Sequence, residues 1–523
     1  MRVAPSGELT DLELETKVAE ILNRRSAAGL AVGVIRHGAP DWFHGHGLAD
    51  VASGAPVTED TVFRIASISK TFTAIAVLQL QERGLVDLDA PATEYLRGFR
   101  LLPAKPSYRP PTLRQLLTHT SGIGELQRLR DVLRPTFGSE VRTASPPSLA
   151  EYYREGLRVE VEPGTRFAYS DHGFATLSQI VEDVSGEAFG RYLGAHVFGP
   201  LGMESTDVVR ERVQANLATG YVFRSRGLVP FADREFALAG AGAVYSSARD
   251  MARYVAALLG GGANEHGSVL RPETLASMFE PHYQPDPRVP GIGLAFFRAE
   301  AGGHRMLEHG GILPGFSSQL FLAPDDGIGV IAFANVGTPA PLWLPFEMGA
   351  LLRLLLDAPD GEVRRDIPQH PEAWSDICGW YGPPAGLTGV RGMLMVGAAV
   401  EVFVRGGKLM VRGLTPIPRM LRGLQLHPDD EDDPYVFRID LSEFGFDSCL
   451  VAFSRDPGTG TRALHLDLHP LSLHRLPESR NPRRWAAGAL AVGATALAAR
   501  RLVRSRDHPV PRERRRARLP RSA

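Results

Sequence analysis

Cysteine is scarce in this chain, with Cys378 and Cys449 the only two in 523 residues. So few thiols exclude a framework of bridges of the kind that holds small secreted domains, so stability must come from a packed core. A single bridge between them is possible, but two buried thiols are the expectation. Net charge is nearly absent as well, at −1. That figure conceals an asymmetry: residues 481–523 hold twelve arginines against Asp507 and Glu513, or +10, which leaves −11 on the rest. A mildly acidic body offers no nucleic-acid footprint. The first 22 residues lack a basic stretch followed by an apolar run, so no secretory signal is expected and the protein is expected to be cytoplasmic. No His/Cys/Glu group has metal-ligand spacing, and no glycine-rich loop could cradle a phosphate, so neither metal nor cofactor is expected.

Long apolar runs are also missing. The longest candidate, Trp485–Ala499, has fifteen residues, mostly Ala and Gly, between Arg483-Arg484 and Arg500-Arg501. A membrane-spanning helix needs about twenty clearly apolar residues. Two readings stay open: membrane association through residues 485–503, or a marginal helix leading into an arginine-rich tail.

What the chain does have is the composition of a globular protein, 44% apolar and 22% charged. Its length suits two or three domains. Helical periodicity over Leu12–Arg25 precedes strand-like runs at Gly29–Arg36 and Asp41–Gly47. Helices are predicted at Thr71–Leu80, Thr112–Leu117, Phe174–Ser185 and Ala248–Leu259, with an irregular excursion over Glu125–Leu149. Ser317–Ala323 and Ile328–Asn335 read as a hairpin around Pro324-Asp325-Asp326-Gly327, followed by a helix from Pro345 to Leu356. The expected fold is α+β, an antiparallel sheet made from the two terminal hairpins and flanked by helices. The expected domains are residues 1–356, a Pro-containing linker at 357–371, a smaller all-β unit at 372–478, barrel or sandwich, and an Ala-rich and basic tail at 479–523.

Three short segments carry chemistry. Ser67-Ile68-Ser69-Lys70 places a hydroxyl and an amine one helical turn apart, on one face. A hydroxyl is a weak nucleophile and needs an adjacent base. A surface reading, with Ser67 capping the helix and Lys70 solvated, is the alternative. Tyr169-Ser170-Asp171 precedes the helix at Phe174, where Tyr169 is either a proton shuttle or an ordinary half-buried tyrosine. His309-Gly310-Gly311 precedes the strand at Ser317. Its glycines allow close backbone approach, and His309 could orient a carboxylate or move a proton; the bland reading is a glycine turn. His119 is read as structural.

Taken in this order, the three segments resemble the class C β-lactamase-like serine hydrolases, which include penicillin-binding-protein-like esterases and D-amino-acid peptidases. Leu116-Leu117-Thr118-His119-Thr120-Ser121-Gly122, Pro200-Leu201-Gly202-Met203 and Ala241-Gly242-Ala243-Val244-Tyr245-Ser246-Ser247 resemble further segments of that family, over about residues 12–356. The resemblance implies a β-lactamase/transpeptidase-like fold. It implies Ser67 as acylated nucleophile, Lys70 as its base or as holder of the proton network, and Tyr169 as proton donor to the leaving group. It implies an oxyanion hole from the Ser67 and Ile312 N–H groups. His309, Gly310, Gly311 and Asp171 fall at substrate-facing positions, His309 where lactamases carry lysine. Asp171 departs from the family's Asn; a carboxylate only accepts hydrogen bonds, and beside Lys70 it would raise the amine's pKa. It faces a cationic substrate or is protonated. The segment opening Gly379-Trp380-Tyr381-Gly382 resembles the lipocalin-like domain that some members append. The expected activity is hydrolysis of a small ester, amide or short peptide through an acyl-enzyme, as an esterase or D-amino-acid-type peptidase. Acyl transfer, peptide cyclisation, β-lactam hydrolysis and ligand sensing without turnover are the alternatives, and nucleic acid is not an expected partner.

Overall fold

The computed structural model describes residues 9–481 except 129–130, 132–133, 135, 137–138, 142–145, 226, 233, 338–339, 359–362, 384–385, 387–398, 414–417, 445–447 and 457–459. The 485–503 segment and much of the 125–149 excursion therefore lie outside the described residues. Among the described residues no helix is long and apolar enough to cross a membrane.

The first helix, α1 (Asp11–Arg24), starts at a capping box in which Thr10 and Glu13 satisfy each other's backbone N–H groups. Its stripe of Leu14, Val18 and Ile21 is buried. Next come β1 (Gly29–Arg36), β2 (Ala39–Asp50) and β3 (Ala55–Pro56). His37 and Gly38 connect β1 to β2 with φ of 52° and 75°. Two left-handed residues make the tight turn whose twist matches that of its flanking strands. Four more strands come from the far end of the domain: β4 (Phe297–Ala301), β5 (His304–Leu313), β6 (Phe316–Ala323) and β7 (Ile328–Ala334). The spatial order is β4-β5-β6-β7-β1-β2-β3. The early and late hairpins thus join through the antiparallel pairing of β1 with β7.

Both faces of β1 are covered. Leu30, Val32 and Val34 pack with α1 and the closing helix α6 (Leu344–Leu355). Ala31 and Ile35 belong to a second, larger core with α2 (Ser69–Glu82), α4 (Asp171–Ser185) and α5 (Ala248–Leu259). That double burial is why β1 reads as a continuous apolar run rather than an alternation. α2 is the centre of the larger core. Every residue from Ser69 to Leu80 is buried, as expected of a helix apolar on all sides. The short helix α3 (Leu113–Leu117) carries a second capping box, Thr112 with Gln115.

The second unit is a closed barrel of eight antiparallel strands, each hydrogen-bonded to its neighbours in sequence. They are β8 (Gly379–Gly382), β9 (Val400–Arg405), β10 (Lys408–Gly413), β11 (Leu424–Pro428), β12 (Val436–Asp440), β13 (Ser448–Arg455), β14 (Arg462–Leu466) and β15 (His469–Arg475). Leu409, Leu426, Phe437, Val451, Phe453 and Leu473 are among the side chains that fill it. Up-and-down barrels of eight strands include the lipocalins, but topology alone does not establish kinship. Both cysteines are free; Cys449 is buried and Cys378 is partly exposed, which corrects the expectation of two buried thiols.

Candidate active site

Ser67 sits at the most constrained bend of the chain. The strand Val62–Arg64 pairs with Tyr245–Ser247, and the backbone then turns through Ala66 at φ 50° into a short 3-10 turn, Ala66–Ile68, and on into α2. A buried alanine in the left-handed region is strained and persists only where its surroundings hold it. Here the surroundings are polar clamps. Ile65 N–H donates to Val244 O at 3.1 Å, and Ser318 Oγ donates to Ile65 O at 2.7 Å. Ser69 Oγ donates to Ala66 O at 2.6 Å and accepts Val244 N–H at 3.0 Å. The bend leaves Ser67 partly exposed while its neighbours Ala66 and Ile68 are buried.

Lys70 is fully buried, so the surface reading fails. Its Nζ donates to Ser67 Oγ at 3.0 Å, to Asp171 Oδ1 at 2.6 Å and to Ala241 O at 2.8 Å. It lies 4.8 Å from the centre of the Tyr169 ring, and the Tyr169 side chain is a further hydrogen-bond partner. Burial acts to lower the lysine pKa. The opposing charge of Asp171, with that of Tyr169, outweighs burial, and the net shift is upward. The Lys70–Asp171 ion pair supplies the counter-charge whose presence the sequence left open.

Tyr169 and Asp171 reach the site on the loop leading into α4, whose N-cap is Ser170 accepting Gly173 N–H. His119 holds that loop from behind. Its carbonyl accepts Ala168 N–H at 2.7 Å, its Nδ1 accepts Ser170 N–H at 3.0 Å, and its ring stacks on Tyr169 at 4.2 Å. An Nδ1 that accepts is unprotonated, so in the neutral ring the proton is on Nε2. His119 is thus a positioning residue, in keeping with the structural reading.

His309-Gly310-Gly311 does not form a turn. It lies inside β5, paired with Leu320, Gln319 and Ser318 of β6. The glycines have a steric cause. A Cβ on Gly311 would stand 2.2 Å from Ser318 Oγ and 2.3 Å from Ile65 O, so only glycine lets β5 lie against the nucleophile bend. β4 pairs with β5 as far as Glu308; beyond it, residues 309–313 lie beside the Ala66–Ile68 turn. Ile312 is 56% exposed on this stretch. His309 is buried, its Nδ1–H donates to Gly310 O at 2.8 Å, and its ring is 5.7 Å from that of Phe297.

The structure therefore gathers Ser67, Lys70, Tyr169 and Asp171 around one ammonium, and brings His309 to Ile312 past them on β5. Ser69, Ser318 and the Ala241 carbonyl were not singled out from sequence. A lone serine or a main-chain oxygen carries no composition signal, although Ala241 falls in a segment that resembles the family. Among the described residues no group of acids, histidines and cysteines is placed to hold a metal.

A family-wide sequence profile described as Beta-lactamase matches residues 14–344, more than half of the chain. A D-aminopeptidase of Brucella anthropi is 27% identical over 409 residues, which cover 72% of this chain and 75% of that protein. Esterase EstB of Burkholderia gladioli is 34% identical over 203 residues, covering 38% of this chain and 51% of that protein. Among solved structures, the octameric penicillin-binding protein homologue from Pyrococcus abyssi shares the fold, with a TM-score of 0.58, 22% identity and coverage of 89% of this chain and 100% of that one. By the extent of that profile match the chain belongs to the beta-lactamase family and is a serine hydrolase.

Proposed function

We propose that the protein forms an acyl-enzyme on Ser67 and cleaves small esters, with short D-amino-acid-type peptides as a slower class. The observation that carries this reading is the position of Lys70 Nζ, which donates to Ser67 Oγ while paired with Asp171. An ammonium has no lone pair and cannot take the serine proton. Of the two roles open to Lys70, the base and the holder of the network, the geometry supports the second. Lys70 stabilises negative charge developing on Ser67 Oγ, in a buried place where such stabilisation is strong.

The proton then travels through Tyr169. As the bond from Ser67 Oγ to the substrate carbonyl carbon forms, the Oγ proton passes to the Tyr169 oxygen while the phenol gives its own proton to the leaving-group heteroatom. The carbonyl π electrons move to its oxygen, which the Ser67 and Ile312 N–H groups receive. Collapse of this intermediate breaks the bond to the leaving group, which departs with the proton it received from Tyr169, and Tyr169 is left a neutral phenol carrying the former serine proton. Water repeats the sequence on the acyl-enzyme. His309, on β5 two residues before Gly311, is assigned the orienting of the substrate by the family resemblance.

Asp171 motivates the ranking of substrates. Its Oδ1 is engaged by Lys70, and a carboxylate offers a substrate amide carbonyl no donor. An ester needs no such donor, and β-lactam turnover is expected to be slight. The similarity to an esterase and a D-aminopeptidase points the same way. The test is a fluorophosphonate probe on the wild type and Ser67→Ala, with turnover measured on p-nitrophenyl acetate, D-alanine p-nitroanilide and nitrocefin. Labelling lost in Ser67→Ala, with turnover falling in that order, is expected. Labelling that persists in the variant would sink the nucleophile assignment. Labelling without turnover of any substrate would favour a sensor.

A further inference from the structure

We propose that the cavity at the C-terminal end of α2 is a second ligand site, separate from the hydrolase site, and that it takes a small carboxylate monoanion with an apolar body. The cavity measures about 460 Å³ and opens to solvent. That volume lies within the ~300–1,000 Å³ usual for small-ligand sites. Arg83, Arg271 and His196 line it together with Gln79, Glu82 and Val269. Lys70 stands at the opposite end of the same helix, about 20 Å away by the helical rise per residue. The cavity is therefore not an extension of the cleft at Ser67.

Its wall is built from an irregular helix end. Gly194–Phe198 forms a π-helical turn, closed by Gly199 N–H donating to Gly194 O at 2.9 Å. Pro200 has no N–H to offer the His196 carbonyl one turn earlier. Gln79 Nε2 takes that place at 2.8 Å and gives its second hydrogen to Val269 O at 3.0 Å. Gln79 is 6% exposed, so one buried amide ties α2 to both walls and fixes their separation. Single π-turns of this kind recur at functional sites.

Charge decides the class of ligand. Glu82 accepts Arg271 N–H at 2.8 Å and stands 3.4 Å from Arg271 Nε, at the start of the helix Pro272–Phe279. That carboxylate neutralises Arg271. The start of this helix and the end of α2 carry opposite partial charges, which offset each other here. Arg83 has no carboxylate partner among the described residues: its Nη2 faces His196 Nδ1 at 3.5 Å, and its guanidinium lies 5.8 Å from the centre of the Tyr192 ring. His196 Nδ1 meets that N–H as an acceptor, so its Nε2–H donates to Glu187 at 2.9 Å and the ring is neutral. The ring beneath Arg83 sets the plane of its fork, and the N–H groups not facing His196 are left for a carboxylate in that plane. A single unpaired guanidinium suits a monoanion better than phosphate, which carries about −1.5 to −2. Ala195, Pro200 and Val269 supply apolar wall for the carbon part.

The experiment is calorimetric titration of the full chain with sodium benzoate, sodium acetate and inorganic phosphate at constant ionic strength. Wild type is expected to bind one benzoate per chain, at least about fivefold more tightly than acetate or phosphate. Arg83→Gln should weaken benzoate at least about tenfold, the loss of a charge-assisted bidentate contact. Arg97→Gln removes an exposed arginine outside the cavity and should leave the affinity within about twofold, as should Ser67→Ala. Equal binding by wild type and Arg83→Gln, an equal loss in Arg97→Gln, or phosphate bound as tightly as benzoate overturns the assignment. Loss of binding in Ser67→Ala would place the benzoate in the hydrolase cleft and overturn it as well. If Arg83→Gln does not fold, Arg83→Lys is read instead; it keeps the charge, loses the planar fork and should weaken benzoate at least about threefold. No step of this inference needs an acyl-enzyme, so failure of the hydrolase reading leaves it intact.

Discussion

Lys70 Nζ and Asp171 Oδ1 stand 2.6 Å apart although 101 residues separate them in the chain. This pair places a carboxylate where the family resemblance implies an amide, and it governs the charge beside the nucleophile. Because the Lys70 pKa is raised above its ordinary value, the sign of its pH dependence is fixed. A raised amine stabilises the fold fully below the unfolded pKa, about 10.4, and loses that contribution only as pH climbs through the folded value. Lys70 therefore contributes no limb to activity or stability profiles at neutral pH.

Replacing Asp171 by Asn removes the counter-charge and leaves burial as the main influence, so the Lys70 pKa falls. The variant is expected to show a new Lys70 titration in the pH profile of kcat/KM, on the alkaline side of neutrality, that the wild type lacks. Asn also adds a donor. Amide turnover relative to ester turnover should rise about tenfold, the worth of roughly one hydrogen bond. Paired profiles on p-nitrophenyl acetate and D-alanine p-nitroanilide check both. An unchanged amide-to-ester ratio would remove Asp171 from substrate selection.

Gly311→Ala tests the contact between β5 and the nucleophile bend. Its Cβ would meet Ser318 Oγ, Ile65 O and, at 3.0 Å, Ala66 Cβ. β5 and the bend must separate, and the hydrogen bond from Ser318 to Ile65 goes with them. Overpacking of this kind costs about 1–3 kcal/mol. Misplacing a reacting group by an ångström costs on the order of a hundredfold in rate. Gly194→Ala is the control, since no atom lies within 4 Å of its Cβ and φ is −59°. Urea midpoints and kcat/KM should fall for Gly311→Ala alone.

These two sites show what a sequence conveys. The Ser67–Lys70 pair was legible because one helical turn places both side chains with no help from the rest of the chain. β1 and the Thr71–Leu80 part of α2 were legible because full burial leaves mostly apolar runs, and β6 was legible from the Pro324–Gly327 turn that follows it. The boundaries of α4 were less so: it begins at Asp171, three residues before the predicted start, because Ser170 caps it. β5 was missed because His309-Gly310-Gly311 has neither alternation nor strand propensity; Gly311 answers to Ile65, which is distant in sequence, and to Ser318 on the neighbouring strand. The Lys70–Asp171 contact depends on α2 and α4 packing together, which no local pattern reports.

Glu308 precedes His309 on β5. Burial pushes its carboxyl up to about 7, with Gln319 Nε2–H donating to Oε2 at 2.5 Å and opposing the shift. Its folded pKa lies above the unfolded one, so the folded state holds the proton longer and stability falls as pH rises from about 4.5 to 7. His172 works in the opposite sense. Burial depresses it to about 4, so its contribution is complete above its unfolded pKa and is lost as pH falls toward 4. The two slopes oppose each other across the same interval. Glu308→Gln removes one of them. The variant should gain up to about 3 kcal/mol at pH 7 relative to pH 4.5 when compared with wild type. Urea midpoints at half-unit pH steps would show this as a steeper rise, and parallel curves for the two proteins would refute it.

Arg288 tests how the barrel is held, since its Nη1 donates to Asp433 and its Nη2 to Phe453 O. Asp286 is 4% exposed, and both of its oxygens bind the Arg288 guanidinium at 2.7 Å. Burial acts to raise the Asp286 pKa, and the arginine more than reverses that, holding it below the ordinary value. Arg288→Ala leaves a buried carboxylate facing His465, itself held neutral at pH 7 by burial, with a pKa near 4. Breaking a buried pair from one side costs about 3–5 kcal/mol. Arg288 is 27% exposed, so about 2–3 kcal/mol is expected. With the arginine gone, burial dominates and the Asp286 pKa rises, so protonation relieves the loss. The destabilisation should therefore be greatest near pH 7 and shrink on acidification, and calorimetry at pH 7 should separate a barrel transition from that of the hydrolase domain. Adding Asp286→Asn to Arg288→Ala removes the stranded charge and should recover part of the loss at pH 7 but little at low pH. Failure of the second substitution to recover stability would assign the effect to packing of the arginine stem, and the barrel would then be held by its ring contacts and main-chain bonds instead of by this ion pair.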